Sequence, residues 1–305
     1  MRSLLIFTLV GVGAQLVDGA LGMAFGVTAS TLLVLSGVAA AQASAAVHLA
    51  EVGTTLASGL SHWRFKNIDW PMVAKLGGPG AVGAFLGATL LSSLSTEAAA
   101  PLMATILMAI GFYVLLRFSL GTPLSLGQHG TSHGAKFLAP LGLFGGFIDA
   151  SGGGGWGPVT TSTLLSQGKT APRTVIGSVS ASEFLVSVSA SIGFLVGLRQ
   201  EFLDNWPVVL GLMVGGVIAA PFAAWLVSRV NPALFGTAVG GVILLTNSQK
   251  LVHFFGVHWP WSTGIYSVIV VAWASLVFYA WKTSRAPREV VDSAVGGVGE
   301  PQGQR

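Results

Sequence analysis

The sequence predicts an all-α polytopic membrane protein of two inverted repeats. Each repeat is a re-entrant or broken helical hairpin plus three transmembrane helices, and one extra C-terminal transmembrane helix follows. Three observations predict this. The 305 residues are 52% hydrophobic and only 9% charged, whereas soluble domains carry about a quarter charged residues. The apolar runs repeatedly reach the roughly 20 residues needed to cross a bilayer. A motif near the start returns in the middle of the chain. The absence of cysteine excludes disulfides, thiol chemistry and thiolate metal sites. The net charge of +4 lies mostly in loop Lys and Arg. Such charges serve topology rather than polyanion binding, so no nucleic-acid partner is expected.

Residues 1–117 are the first repeat. Residues 4–17 are apolar but too short to cross alone. One preceding Arg gives them the look of a signal-peptide core. They lead straight into Asp18 and another apolar run ending near Leu35, so they are read as mature structure. Residues 42–60 are a full crossing that carries His48 and Glu51 and ends at His62, Arg64, Lys66 and Asp69. Trp70-Pro71 opens the next crossing, 72–91, whose glycines at 77, 78, 80, 83 and 87 give a neighbour a close-packing face. Residues 98–116 are another crossing, closed by Arg117.

Residues 118–136 form a polar cytoplasmic linker, and the pattern then restarts as a second repeat over 137–251. A short apolar run, 137–148, leads into Asp149-Ala150-Ser151-Gly152-Gly153-Gly154-Gly155-Trp156-Gly157-Pro158. A carboxylate, four glycines, a tryptophan and a proline predict two short helices meeting at a non-helical turn. Residues 159–165 complete the pair. The crossings 175–196, with Glu183, 208–227, opened by Trp206-Pro207, and 232–251 follow. Residues 262–281 are the extra helix and 282–305 a cytoplasmic tail.

The repeat is read from spacing. At 131 residues apart, Asp18 meets Asp149, Gly22 meets Gly153, Phe25 meets Trp156 and Gly26 meets Gly157. At 132, Glu51 meets Glu183, and at 136 Trp70-Pro71 meets Trp206-Pro207 and Leu76 meets Leu212. Charge then orients the units. Arg64, Lys66, Arg117, Lys136, Lys169, Arg173, Arg229 and the basic tail belong in the cytoplasm. Residues 36–41, 92–97 and 252–264 carry no Lys or Arg and belong outside. Both sets agree if each hairpin enters and leaves on one side, which inverts the second unit, with the N-terminus outside and the C-terminus inside. Arg2 runs against this. One long broken helix per unit is the alternative and makes the repeats parallel.

Inverted repeats with broken helices at mid-membrane are the layout of a secondary transporter. Helix starts facing a cavity offer N–H groups to an anion. Gly22, Ala24, Phe25 and Gly26 on one side, and Gly152, Gly153, Gly154, Gly155, Trp156 and Gly157 on the other, are therefore candidate substrate contacts. The plainer role for these glycines is close helix packing. Ser182, Asn247 and Gln249 are candidate polar contacts, with helix packing and helix termination as the alternatives. Buried ionisable groups are costly and mark function, so Asp18, His48, Glu51, Asp149 and Glu183 are candidates for proton coupling. His48 lies one turn before Glu51 and shares its face. Structural hydrogen bonds are the alternative, and for Asp18 and Asp149 helix capping. His129 and His133 are four apart, without Cys or a nearby acid, and are not read as a metal site; no cofactor is expected.

The chain resembles the sulfite exporter TauE/SafE family of bacterial membrane permeases. The resemblance rests on Gly11…Asp18-Gly19, Gly142…Asp149-Ala150 and the run Gly152–Pro158, and it covers about residues 4–281. It implies export of sulfite or a small organosulfur anion such as sulfoacetate, coupled to protons, in a bacterial inner membrane. The implied partners are a sulfur-containing oxyanion, protons and lipid. The first hairpin departs from the family pattern, since A-L-G-M-A-F-G has few glycines. A channel or permease for sulfate or thiosulfate is the nearest alternative, and a membrane scaffold another. No nucleophile–base arrangement suggests an enzyme.

Overall fold

The computed structural model describes residues 2–21, 23–121, 133–204, 206–227 and 231–285. Gly22, the linker residues 122–132 with His129, Arg229 and the tail beyond Arg285 lie outside the described residues. Everything regular among the described residues is helical. The helices are α1 (Arg2–Leu21), α2 (Phe25–Leu35), α3 (Ala40–Arg64), α4 (Trp70–Ser93), α5 (Thr96–Leu120) and α6 (Ala135–Gly152). A π-helical turn, Gly157–Thr161, runs into α7 (Ser162–Gln167), followed by α8 (Pro172–Asp204), α9 (Trp206–Val227), α10 (Pro232–Phe254) and α11 (Trp261–Arg285).

The helix ends follow local chemistry. The Asp69 carboxylate accepts from Met72 N–H at 3.1 Å, with Pro71 in the first turn of α4. Asn231 does the same for Ala233 N–H at 2.9 Å, with Pro232 opening α10. Both caps satisfy donors that have no partner inside the helix. In α8 the backbone breaks at Arg199 (φ 34, ψ −91), where the sequence places the end of the crossing.

Among the described residues, four helices are long and apolar enough to cross a membrane: Trp70–Ser93, Thr96–Leu120, Pro172–Arg199 and Trp261–Ser284. This is fewer than the three per repeat that the sequence predicts. α3 and α10 have the length, 25 and 23 residues, but carry polar side chains. Those side chains, Ser44, His48, Glu51 and Thr55 on α3 and Thr237, Asn247 and Ser248 on α10, are buried in protein. A helix shielded from lipid need not be apolar all round. Among the described residues of α9, the apolar stretch is Trp206–Ala220.

Both short pairs are hairpins. A Cβ added to Gly13 would lie 3.6 Å from Leu32 Cδ1, and one added to Gly145 would lie 2.9 Å from Thr160 Cγ2. In each case the chain turns back on itself, which a continuous broken helix does not do. α1 lies along α9, α6 along α4, α3 against α8 and α5 against α10. The first two contacts correspond. Gly11 sits on the carbonyl of Leu212 and Gly142 on that of Leu76, so that an added Cβ would lie 2.5 and 2.1 Å from the oxygens. Gly11 and Gly142, and likewise Leu76 and Leu212, stand at the spacings of the repeat that the sequence predicts. Progress along the grooves is parallel in both: α4 residues 76, 80, 83 and 87 meet α6 residues from 142 to 151, and α1 residues from 7 to 12 meet α9 residues from 211 to 215.

The loops sort to two ends. Asp69 N–H donates to Ser178 Oγ at 2.8 Å, and His133 Nδ1 lies 3.3 Å from Thr170 Oγ1. At the other end Lys250 Nζ donates to the Val34 carbonyl at 3.3 Å, and Gly197 packs on Ser92. α11 stands at the periphery against α10 and α5, with most of its surface exposed.

Candidate functional site

The glycine run makes a turn that a carboxylate then closes. α6 ends on Gly153 (φ 73), and Gly154 and Gly155 follow at φ 146 and 153, all in the region that favours glycine. Gly154 N–H donates to the Asp149 carbonyl at 2.8 Å, and Trp156 N–H donates to Asp149 Oδ1 at 2.9 Å. The first turn repeats this design. Phe25 N–H donates to Asp18 Oδ1 at 3.2 Å across the same spacing of seven residues. Ala24 takes the position of Gly155, at φ 103.

The two turns touch. An added Cβ on Gly154 would lie 2.2 Å from Val27 N, and Ser30 Oγ donates to the Gly153 carbonyl. Trp156 is 1% exposed; its indole N–H donates to the Val179 carbonyl at 3.2 Å and its ring fills the space left by Gly80. Trp156 thereby ties the second hairpin to α4 and α8.

His48 reaches Asp149 rather than pairing with Glu51 along α3. Its Nε2 lies 3.1 Å from Asp149 Oδ2, and its Nδ1 lies 2.8 Å from the Ser44 carbonyl. With Nδ1–H donating to that carbonyl, Nε2 and Oδ2 face each other as acceptors unless they share a proton. Ser44 Oγ donates to the Ala150 carbonyl at 2.7 Å and fixes α3 against α6.

A cavity of about 210 Å³ opens between the two turns, α3 and α8. Four carboxylates line it, Asp18, Glu51, Asp149 and Glu183, together with Ser58, Ser180 and His62. Ser58 and Ser180 hydroxyls are 2.8 Å apart. An adjoining space of about 340 Å³ shares Asp18, Glu51 and Glu183 and continues past Gln15, Thr55 and Ser61. Both spaces extend towards the end of α3 that leads to Arg64 and Lys66.

Of the residues singled out in the sequence, Asp18, Ala24, Phe25, Gly26, Glu51, Asp149, Gly155, Trp156, Gly157 and Glu183 line the cavity. Gly152, Gly153 and Gly154 are outside its lining and make close contacts with Ile106, Ser30 and Val27. Ser182 donates to the Val179 carbonyl at 2.8 Å and packs on Gly77. Asn247 donates to Thr31 Oγ1 at 3.3 Å and to the Ile243 carbonyl at 2.8 Å, while Gln249 is exposed. Sequence reasoning missed Ser58 and His62 as cavity-lining residues, whereas Ser180 belongs to the serine-rich crossing 175–196 that the sequence offers as a polar path. His48, Glu51 and Asp149 each place a ligand atom within 4.8 Å of the others, so these buried groups have the donor types and spacing to hold a metal ion.

The family model for sulfite exporter TauE/SafE matches residues 7–249. The chain is 45% identical over 295 residues to the "Probable membrane transporter protein YtnM" of Bacillus subtilis (strain 168), covering 97% of this chain and 98% of that protein. It is 27% identical over 195 residues to the "Probable membrane transporter protein YdhB" of the same organism, covering 63% and 79%. No solved structure matches. With a buried polar cavity inside a bundle of apolar helices and a family match over most of its length, the chain belongs to the sulfite exporter TauE/SafE family of membrane transporters.

Proposed function

We propose that the chain is a secondary transporter that exports sulfite or a related small organosulfur anion, such as a sulfonate or sulfoacetate, with proton coupling. The observation that carries the reading is the cavity held between two equivalent non-helical turns. Gly26 and Gly157, each one residue into the helical segment after its turn, line that cavity. Their N–H groups are suited to an oxyanion. The N–H groups just before them, of Phe25 and Trp156, are held by Asp18 and Asp149. These carboxylates thus brace the site rather than leave it open. Glu51 and Glu183, from α3 and α8, are the coupling groups, with Asp18 and the paired His48 and Asp149 beside them.

The proposed mechanism takes the two repeats as inverted. The reading rests on the reciprocal grooves, α1 beside α9 and α6 beside α4, and on direction. α4 also runs parallel to α8, since Gly77 meets Ser182 and Gly193 meets Ala88. α9 returns from α8, so α1 and α6 run oppositely. In this reading the two hairpins rock about a shared site to give alternating access. The protein sits in the bacterial inner membrane with its C-terminus in the cytoplasm.

Counterflow in proteoliposomes across sulfite, sulfate, thiosulfate, taurine and sulfoacetate tests the substrate class. Preference for sulfate or thiosulfate moves the assignment to another small oxyanion, and flux that ignores an imposed pH gradient favours a channel. Glu51→Gln and Glu183→Gln are each expected to lower proton-driven transport by about a hundredfold or more, the lower end of what positioned proton-transfer groups contribute. Unchanged proton-driven rates in both would remove the coupling role.

A further inference from the structure

We infer that His48, Glu51 and Asp149 form a site for one divalent transition-metal ion of the Zn²⁺ class, held as a resident ion in the wall of the cavity. The three residues offer one imidazole nitrogen and two carboxylate oxygens, all within 4.8 Å of one another. His48 and Glu51 stand one turn apart on the same face of α3, and Asp149 meets them from α6. Helical bundles build metal sites in this way, from side chains that project inward on facing helices.

The imidazole is set for coordination. Both groups beside Nδ1 are acceptors: the Ser44 carbonyl at 2.8 Å, and Ser44 Oγ at 3.3 Å, whose own hydrogen goes to the Ala150 carbonyl. Nδ1 therefore carries the hydrogen of the neutral ring, and Nε2 presents a lone pair. That lone pair faces Asp149 Oδ2 at 3.1 Å. Ligands ~2.0–2.2 Å from one Zn²⁺ lie about 3.0–3.5 Å apart, so these two atoms already stand at the spacing of a coordination edge. A shared proton serves two of the three ligand atoms, whereas a metal ion serves all three. A carbonyl on the far ring nitrogen is the usual outer support of a metal-bound histidine. Asp149 is supported likewise, because Oδ1 accepts from Trp156 N–H at 2.9 Å and Oδ2 is left for the ion.

Charge points the same way. All three residues are at most 3% exposed. Among the described residues the Glu51 carboxylate has one long hydrogen bond, 3.5 Å from Ser187 Oγ to Oε2. Two buried carboxylates beside a neutral imidazole call for two positive charges, and the described lining of the cavity holds no Lys or Arg. At the 132-residue spacing that relates Glu51 to Glu183, His48 meets Ser180. The other half lacks an imidazole at this place, so the site is single. The role of the ion rests on the transporter reading above: it gives an anion in the cavity a positive charge to meet. With the ion bound, Glu51 is a ligand and Glu183 carries the proton.

The full-length protein, purified in detergent without a histidine tag, is stripped with EDTA, dialysed and offered Zn²⁺ or Co²⁺. Metal content is measured after a second dialysis, and the Co²⁺ form is read by visible absorption. The expected result is one retained Zn²⁺ per chain, a thermal midpoint raised by Zn²⁺, and the intense bands of four- or five-coordinate Co²⁺. His48→Gln and Asp149→Asn are each expected to weaken Zn²⁺ binding at least about a hundredfold, the most that losing an outer-shell partner costs. His253→Gln and His258→Gln, at exposed histidines, keep the ion, and Glu183→Gln keeps it while lowering transport. Should a ligand variant not fold, the wild-type spectrum still decides, because the pale bands of six-coordinate Co²⁺ overturn the site. No retained ion, or retention that survives both ligand variants, also overturns it and leaves the anion reading standing. Zn²⁺ counterflow in proteoliposomes overturns the resident role, since the ion is then cargo. Thiosulfate or sulfoacetate is expected to shift the Co²⁺ bands; unchanged bands overturn the role towards the anion, whereas the anion reading itself falls only if no anion shows counterflow.

Discussion

Ala24 holds a backbone conformation, φ 103, that the second turn assigns to Gly155. A side chain there costs roughly 1–2 kcal/mol. Ala24→Gly is therefore expected to stabilise the protein by about 1 kcal/mol, read as a higher thermal midpoint in detergent. Gly154→Ala acts in the other direction. Its Cβ would lie 2.2 Å from Val27 N, a backbone atom fixed in the facing turn, so little folded protein is expected on size-exclusion chromatography. The second turn was legible because four adjacent glycines in an apolar run mark a break in a helix. The first was legible only as the copy of the second, since Ala24 conceals its conformation. His48 was placed on the face of Glu51, but its contact with Asp149 depends on how α3 meets α6, about which spacing along one helix is silent.

Between elements, the closest contacts are backbone against backbone. Gly142 on α6 and Gly11 on α1 each abut a carbonyl of a leucine on the facing helix. Gly142→Ala and Gly11→Ala are each expected to destabilise by about 1–3 kcal/mol, the cost of overpacking. Chemical denaturation checks this, and a loss at only one of the two positions would refute their equivalence. The glycine face of α4 was readable from the sequence; its partner was not, because several helices offered a matching surface. α3 and α10 show the limit of hydropathy. They look half-polar because their polar side chains point into protein. At the loop end, His133 lies buried against Phe137 and near Thr170. Burial, and then the charge of Lys169, pushes it below the usual 6.5. Its unfolded form takes up a proton at higher pH than its docked form. The docking is thus complete above 6.5 and weakens as pH falls below it. Faster amide exchange over residues 165–175 under acid is the expected signature.

For the whole molecule, the two-ended sorting of loops gives a labelling prediction. The chain has no cysteine, so single substitutions report without background. Ser36→Cys and Ser95→Cys are expected to react with an impermeant maleimide added outside intact cells, and Lys66→Cys and Lys136→Cys only after lysis. Reaction of all four from outside would reject the orientation. The two similar turns and the two-ended sorting of loops were legible because acids and Trp-Pro pairs recur and basic loops keep to alternate intervals. The exchange of partners between halves was not. Hydropathy and charge describe how each helix meets lipid and water, and a groove between two glycine-bearing helices belongs to neither sequence alone.

The pairing of α1 with α9 has a consequence for synthesis. α6 follows α4 within a few dozen residues, but α1 leaves the ribosome long before its groove partner exists. At ~5–20 residues per second, α1 waits roughly 10–40 s for α9. Throughout that interval the small-residue face of α1 lacks the surface that finally covers it. The nascent first hairpin is therefore a client for the insertion machinery, and ribosome stalling before residue 206 should leave it open to proteolysis.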